Sequence, residues 1–182
     1  LDAQKEPPLP IDDSDGGCDD IPRCKGGPPY PWKRQIATIA VGPDDAVSDN
    51  GQEVYNLLQQ QSRSNVIVMG VHANMCVLGR SFAIRQMVAN GKNVFLMRDM
   101  TDTMYCSRMR PFTNHFRGTD LVVAHIEKYW CPSITSTVFT GKPEFHFNDD
   151  IDSAGNDAVR DHIRRFKGRG ETVDAGRGAK PL

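Results

Sequence analysis

Cys76 is the side chain best placed for covalent chemistry. It follows Val66-Ile-Val-Met-Gly70 and Val71-His-Ala-Asn-Met75, and an amphipathic run to Asn90-Gly91 comes after it. A β-rich run, a tight turn and a helix-period segment set the thiol where a strand hands over to a helix. The first turn of a helix carries unpaired N–H groups and the positive end of the macrodipole. A thiol in that field loses its proton more readily, and the thiolate is the nucleophile. The same N–H groups can hold the oxyanion that forms when a thiolate attacks a carbonyl. The competing role is that of a small buried hydrophobe, common for free cysteine.

Other candidates follow from the same topology. Asn93-Val-Phe-Leu-Met97 reads as a second strand ending near Asp99, so the unit is βαβ with a parallel sheet. Loops at the carboxyl ends of parallel strands line the crevice of such sheets. Asp99, Thr101, Asp102 and Tyr105 are therefore candidates to shape a pocket, with helix capping as the competing role for Asp and Thr. Arg80, one turn beyond Cys76, is a candidate to hold an anionic substrate. Arg108 to Arg117 carries further arginines and His115 in what reads as a loop, either a lid or a subunit contact. His115 itself reads as an ordinary loop residue.

The elements around this unit read as follows. Leu1 to Trp32 is rich in Pro, Gly and Asp without a period of 3.6 or 2, which predicts an irregular arm. Its aspartates around Gly16-Gly17 lack the spaced ligands and closing Glu of a calcium loop and read as a solvated acidic turn. Arg34 to Val41 predicts a strand. Asp49 and Gln52 have capping-box spacing ahead of a helix over 50–61. The helix after Cys76 places Val77, Ile84 and Val88 on one stripe, with Leu78 and Met87 beside it and Arg85 off it. Thr119 to Trp130 predicts another helix, and Ser133 to Thr140 the last strand. The domain thus spans 33–147, and 148–182 reads as a polar disordered tail holding one short helix over 157–167.

Composition removes several function classes. The chain has 182 residues and a net charge of −1, so no basic field draws it to nucleic acid or to a lipid surface. No apolar run approaches the ~20 residues of a membrane span. The first residue is Leu, which fits a processed, trimmed or incomplete chain. An odd count of five cysteines leaves a thiol unpaired in a monomer. Cys18 and Cys24 have the spacing of a small disulfide loop, which would imply an oxidising compartment and an exported protein.

Gly70-Val-His-Ala-Asn-Met-Cys76-Val77, with Gly91 and a strand ending at Asp99, resembles the isochorismatase-like cysteine hydrolase superfamily. That group includes nicotinamidases, N-carbamoylsarcosine amidases and isochorismatases. The resemblance covers Asp49 to Trp130. It implies a three-layer α/β/α Rossmann-like fold with a mostly parallel sheet ordered 3-2-1-4-5-6. It implies that Cys76 is the nucleophile. It also implies a cis peptide at Val71-His72 that aims backbone N–H groups near Ala73 and Cys76 at the substrate oxygen. A small-molecule substrate is implied, and no cofactor. Relatives of this kind often pair through surfaces near the site, which by analogy points to a homo-oligomer.

The resemblance is incomplete. The family's general-base Asp closes its first strand in an Asp-x-Gln pattern. Asp2-Ala3-Gln4 has those letters, but no apolar strand precedes it. The family's Lys precedes the helix expected at Asn50, where this chain has Asp44 and Asp45 and no Lys. Lys33 and Arg34 sit at the far end of the preceding strand. The metal ligands of nicotinamidases are not visible either, which argues against nicotinamide as substrate. The expectation is a domain lacking the family's first strand, with sheet edges and apolar faces left open. Two rivals stand beside the amidase reading: a catalytically silent binding or scaffold protein, and a hydrolase that cleaves a vinyl ether without a Cys nucleophile. A nucleotide-binding Rossmann domain is more distant, because no G-x-G-x-x-G follows a strand.

Overall fold

Three apolar runs pair side by side to form the sheet. They are β1 (Asn65–Val71), β2 (Asn93–Asp102) and β3 (Ser133–Ile134), in the order β1-β2-β3 and all parallel. The structure is a computed structural model that describes residues 6–17, 36–148 and 150. The chain divides into two units, Leu1–Phe145 and His146–Leu182, and the helices and strands described all lie in the first. The Cys18–Cys24 pairing, Asp2-Ala3-Gln4, Lys33, Arg34, the 157–167 helix and nearly all of the tail lie outside the described residues.

Parallel strands need crossovers, and helices supply them. After β1 come α2 (Cys76–Gly79) and α3 (Ile84–Ala89), and after β2 comes α4 (His115–Tyr129). Ahead of the sheet lies α1 (Gly51–Gln60), and after it α5 (Thr137–Thr140). Burial alternates along β1, and in β2 Val94 and Leu96 are buried. Leu78, Ile84, Met87, Leu96, Val122 and Ile126 are fully buried in one cluster, and Val54, Leu58 and Val68 pack against it. Each such side chain contributes roughly 1.5–3 kcal/mol by leaving water.

The other face of the sheet is a different surface. Ile67, Met69 and Val71 are exposed along β1, and Phe95 beside them is only half-buried. Among the described residues the helices therefore cover one face. The chain has an α/β fold with a small parallel sheet, and the described part has two layers rather than three.

Local chemistry moved several expected boundaries. The helix over 50–61 is capped by Asn50, not Asp49: its side chain accepts from the N–H groups of Gln52 and Glu53. The single helix expected after Cys76 is two short ones. At Arg80 the backbone is extended, and the first helix stops after Gly79. Asn114 caps α4 and accepts from the Arg117 N–H, so that helix starts before Thr119 and takes in His115. The strand expected over Ser133 to Thr140 shrinks to Ser133–Ile134, because the residues beyond it turn into α5. Residues 36–41 form no strand, since an apolar run without a pairing partner has nothing to complete its ladder.

The described part of the arm is packed against the domain. Ile11 is buried in the core cluster, and the Asp12 N–H donates to the Arg110 carbonyl at 2.9 Å. Glu6 is its strongest anchor. Its carboxylate accepts from Arg85 of α3 at 2.6 and 3.1 Å and lies 2.8 Å from His125 Nε2 of α4. Burial pushes the Glu6 carboxyl up, but the bonds to Arg85 and His125 outweigh it and hold the group below its ordinary 4.5. A depressed carboxyl stabilises the fold above its unfolded pKa, and that contribution fades as pH falls through the folded one. Glu6→Gln should therefore lose about 2 kcal/mol near pH 7. Urea unfolding of both chains near pH 7 and again at about pH 3 should show the gap closing in acid.

Candidate functional site

The Cys76 loop is shaped by the end of the β1–β2 pairing. The ladder runs from Asn65 opposite Asn93 to Val68 opposite Leu96, then shifts so that Gly70 stands opposite Thr101. Met69 alone faces Met97 to Met100 across that shift. Gly70 has φ +115°, a conformation that side-chain-bearing residues rarely adopt. Thr101 Oγ1 donates to the Gly70 carbonyl at 2.7 Å and pins the new register. The chain then turns through His72 to Met75. The Val71–His72 peptide is cis.

Two features hold this turn. The His72 carbonyl accepts from the Met75 and Val77 N–H groups, both at 3.1 Å. Asn74 is buried and ties the turn to its surroundings. Its Nδ2 donates to Asp13 Oδ2 at 2.7 Å and to the Met104 carbonyl at 3.1 Å. Its Oδ1 accepts from the Met104 N–H at 3.0 Å. Asp13, read from sequence as part of a solvated turn, is thus a strut for the Cys76 loop. Asp12 and Asp15 keep the turn role, accepting from the Ser14 and Gly17 N–H groups.

Cys76 opens α2 and is half-buried. The helix behind it is a single turn of four residues, so few peptide dipoles add up there. Any stabilisation of an oxyanion falls to individual N–H groups. Ala73 does not supply one: its N–H donates to the Asp102 carbonyl at 2.7 Å, and the residue is fully buried. Among the described residues the N–H groups of His72 and Cys76 have no hydrogen-bond partner. Cys106 and Cys131 are buried, and desolvation pushes the Cys131 thiol up to about 12.

The other expected pocket residues are committed elsewhere. β2 runs on to Asp102, so Asp99 and Thr101 belong to the strand rather than to a loop beyond it. Asp99 accepts from the Ser136 N–H and Oγ and from the Phe145 N–H, which fixes the segment after β3. Burial pushes its carboxyl up, and the Ser136 and Phe145 bonds outweigh that and bring it below the usual range. Tyr105 is fully buried, so it cannot line an open pocket. Its ring lies so close to Gly118 that a Cβ there would sit 2.3 Å away, and its hydroxyl donates to the Met109 carbonyl at 2.8 Å. Arg80 is exposed at the end of α2.

Asp102 and His115 form a pair that the sequence reading separated. His115 Nε2 lies 2.8 Å from Asp102 Oδ1, and Nδ1 lies 3.1 Å from the Tyr105 carbonyl. Both ring nitrogens face acceptors, an arrangement that only a doubly protonated ring meets with two donated bonds. Thr119 Oγ1 donates to the same carboxylate oxygen at 3.0 Å, and the Thr103 N–H does so at 2.8 Å. Burial pushes Asp102 up, but the His115 bond and charge and the bonds from Thr103 and Thr119 hold it below the usual carboxylate range. The pair shares the end of the sheet with the Cys76 loop, since the Asp102 carbonyl takes the Ala73 N–H. The signal in the sequence was Asn114 three residues before Arg117, which makes His115 the first residue of a helix.

No protein-family model, curated protein or solved structure matches the chain. Among the described residues no group of three or more His, Cys, Asp or Glu side chains could hold a metal ion. Nor is any described helix long and apolar enough to cross a membrane. A cavity of about 300 Å³ opens beside Asn65, Asn93 and Pro132, at the amino ends of the strands and so at the opposite end from Cys76.

Asn74→Ala should cost about 2–3 kcal/mol, because it strips partners from Met104 and Asp13 at once. Chemical denaturation reads the loss. The same variant should speed alkylation of Cys76, since its loop is no longer tied to Met104.

Proposed function

We propose that this chain is a cysteine hydrolase of the isochorismatase-like type, acting on an amide or related C–N bond of a small molecule. The observation that carries the reading is the state of Cys76. It is half-buried rather than sealed, at a turn where a parallel strand ends, with two unpartnered N–H groups in its own loop among the described residues. In the proposed reaction the Cys76 thiolate attacks the carbonyl carbon. The N–H groups of His72 and Cys76 receive the oxyanion. The C–N bond breaks, the amine leaves with a proton, and a thioester remains. Water then adds to the thioester, the acid departs and the thiol is restored. The proton that the amine takes is the one the Cys76 thiol gave up, passed through solvent, because both His115 ring nitrogens already face acceptors.

The finer architecture belongs to the same proposal. A three-layer Rossmann-like domain would need helices over Ile67 and Phe95, a face that carries none among the described residues. A second reading, a catalytically silent relative that serves as a binding or scaffold protein, is favoured by one observation. Asp99, Thr101 and Tyr105 are all held in structural bonds, which leaves few side chains to recognise a substrate.

Mass spectrometry after brief iodoacetamide treatment should find Cys76 modified ahead of Cys106 and Cys131. Incubation with small primary amides and activated anilides should trap an acyl group on Cys76 and release amine, and Cys76→Ser should abolish both. Turnover that survives in Cys76→Ala would move the assignment to the Cys-independent hydrolases. Neither turnover nor adduct, with the thiol still alkylated, would favour the silent relative.

A further inference from the structure

The sheet ends at β1 with an unprotected strand edge. β1 is the outermost strand, and nothing among the described residues pairs with its free side. Its sequence, Asn65-Val-Ile-Val-Met-Gly-Val71, has no charge, no proline and no lysine. Natural edge strands usually carry such devices to prevent pairing with another chain. Ile67, Met69 and Val71 are 42%, 59% and 58% exposed.

The same chain displays a segment suited to that edge. Residues 36–41 read Ile-Ala-Thr-Ile-Ala-Val, uncharged and rich in β-branched side chains. Ile36, Ile39 and Val41 are 63%, 58% and 50% exposed. The Ile39 N–H donates to the Ile36 carbonyl, so residues 36–39 form a turn that straightens on pairing. Among the described residues no backbone bond joins this run to the β1 edge.

We infer that residues 36–41 of one copy add as a strand to the β1 edge of a second copy, reciprocally, so that two chains exchange strands across a twofold axis. Strand addition supplies main-chain hydrogen bonds to both partners and widens the open sheet face that Ile67, Met69 and Val71 line. Charge selects the antiparallel orientation. Asp44 and Asp45 follow the donated run, and Arg63 precedes β1. Antiparallel pairing sets those aspartates beside Arg63 of the second copy. Parallel pairing would set Lys33 and Arg34 there instead. One pairing of six residues is small against the roughly 1,200–2,000 Å² that stable interfaces bury, and the reciprocal arrangement doubles it. A twofold exchange also closes on itself and ends at two chains.

The test uses the full chain in sedimentation velocity over a concentration series. Wild type should pass from monomer to dimer with a midpoint on the order of 10 μM. Met69→Lys places a charge on the accepting edge, and Ile39→Lys places one on the donated run. Both positions are exposed, so each variant should keep the wild-type circular dichroism spectrum. Each alone should weaken dimerisation at least about tenfold. Amide exchange in wild type should slow over 36–41 and 65–71 only at dimer-forming concentrations. A wild type that stays monomeric at about 100 μM, protection of 36–41 in the monomer, or variants that dimerise normally would each overturn the proposal.

Discussion

Parallel pairing of β1 with β2 is the constraint on which the rest of this domain depends. It sends both strands out at one end, so the Cys76 loop and the Asp102–His115 pair have to share a neighbourhood. It also forces a crossover, and α2 and α3 make that crossover on the face that holds the core. The break in register after Val68 is where the two strands stop matching one for one. Gly70 takes up the change in direction, and Thr101 locks it. The Cys76 turn hangs from that lock and from Asn74, and Ala73, Val77 and Leu78 root it in the core.

The parts legible in the sequence were those decided by short-range pattern. Val66 to Gly70 and Val94 to Met97 are apolar, β-branched runs with turn residues around them, and both are strands. Val54, Leu58, Val122 and Ile126 recur at helical spacing and all pack on the core. Caps were harder. Asp49 and Asn50 are both good capping residues, and only the position of the first free N–H groups chooses between them. The break at Arg80 was invisible to periodicity, because Val77, Ile84 and Val88 fall on one stripe whether or not the helix is continuous.

The site was less legible than the fold. Topology does place Asp99, Thr101 and Tyr105 near the carboxyl end of β2, but it does not say which way each points. Tyr105 turns inward because Gly118 leaves a slot for its ring. Asp99 is drawn off by N–H groups that come back from beyond β3. The His115–Asp102 pair escaped notice because the two residues look unrelated until Asn114 starts a helix. The Ala73 amide was misassigned for a similar reason: the strand ladder reaches one residue further than the apolar run suggests, and takes that N–H for itself.

Glu6 bears on the order in which the chain can assemble. Its partners Arg85 and His125 lie 79 and 119 residues away along the chain. Contacts between such distant residues are the slowest to form, because the intervening loop has to close first. During synthesis Glu6 leaves the ribosome well before either partner exists. Glu6 therefore waits until the helix carrying His125 has emerged, and its full docking comes late in folding.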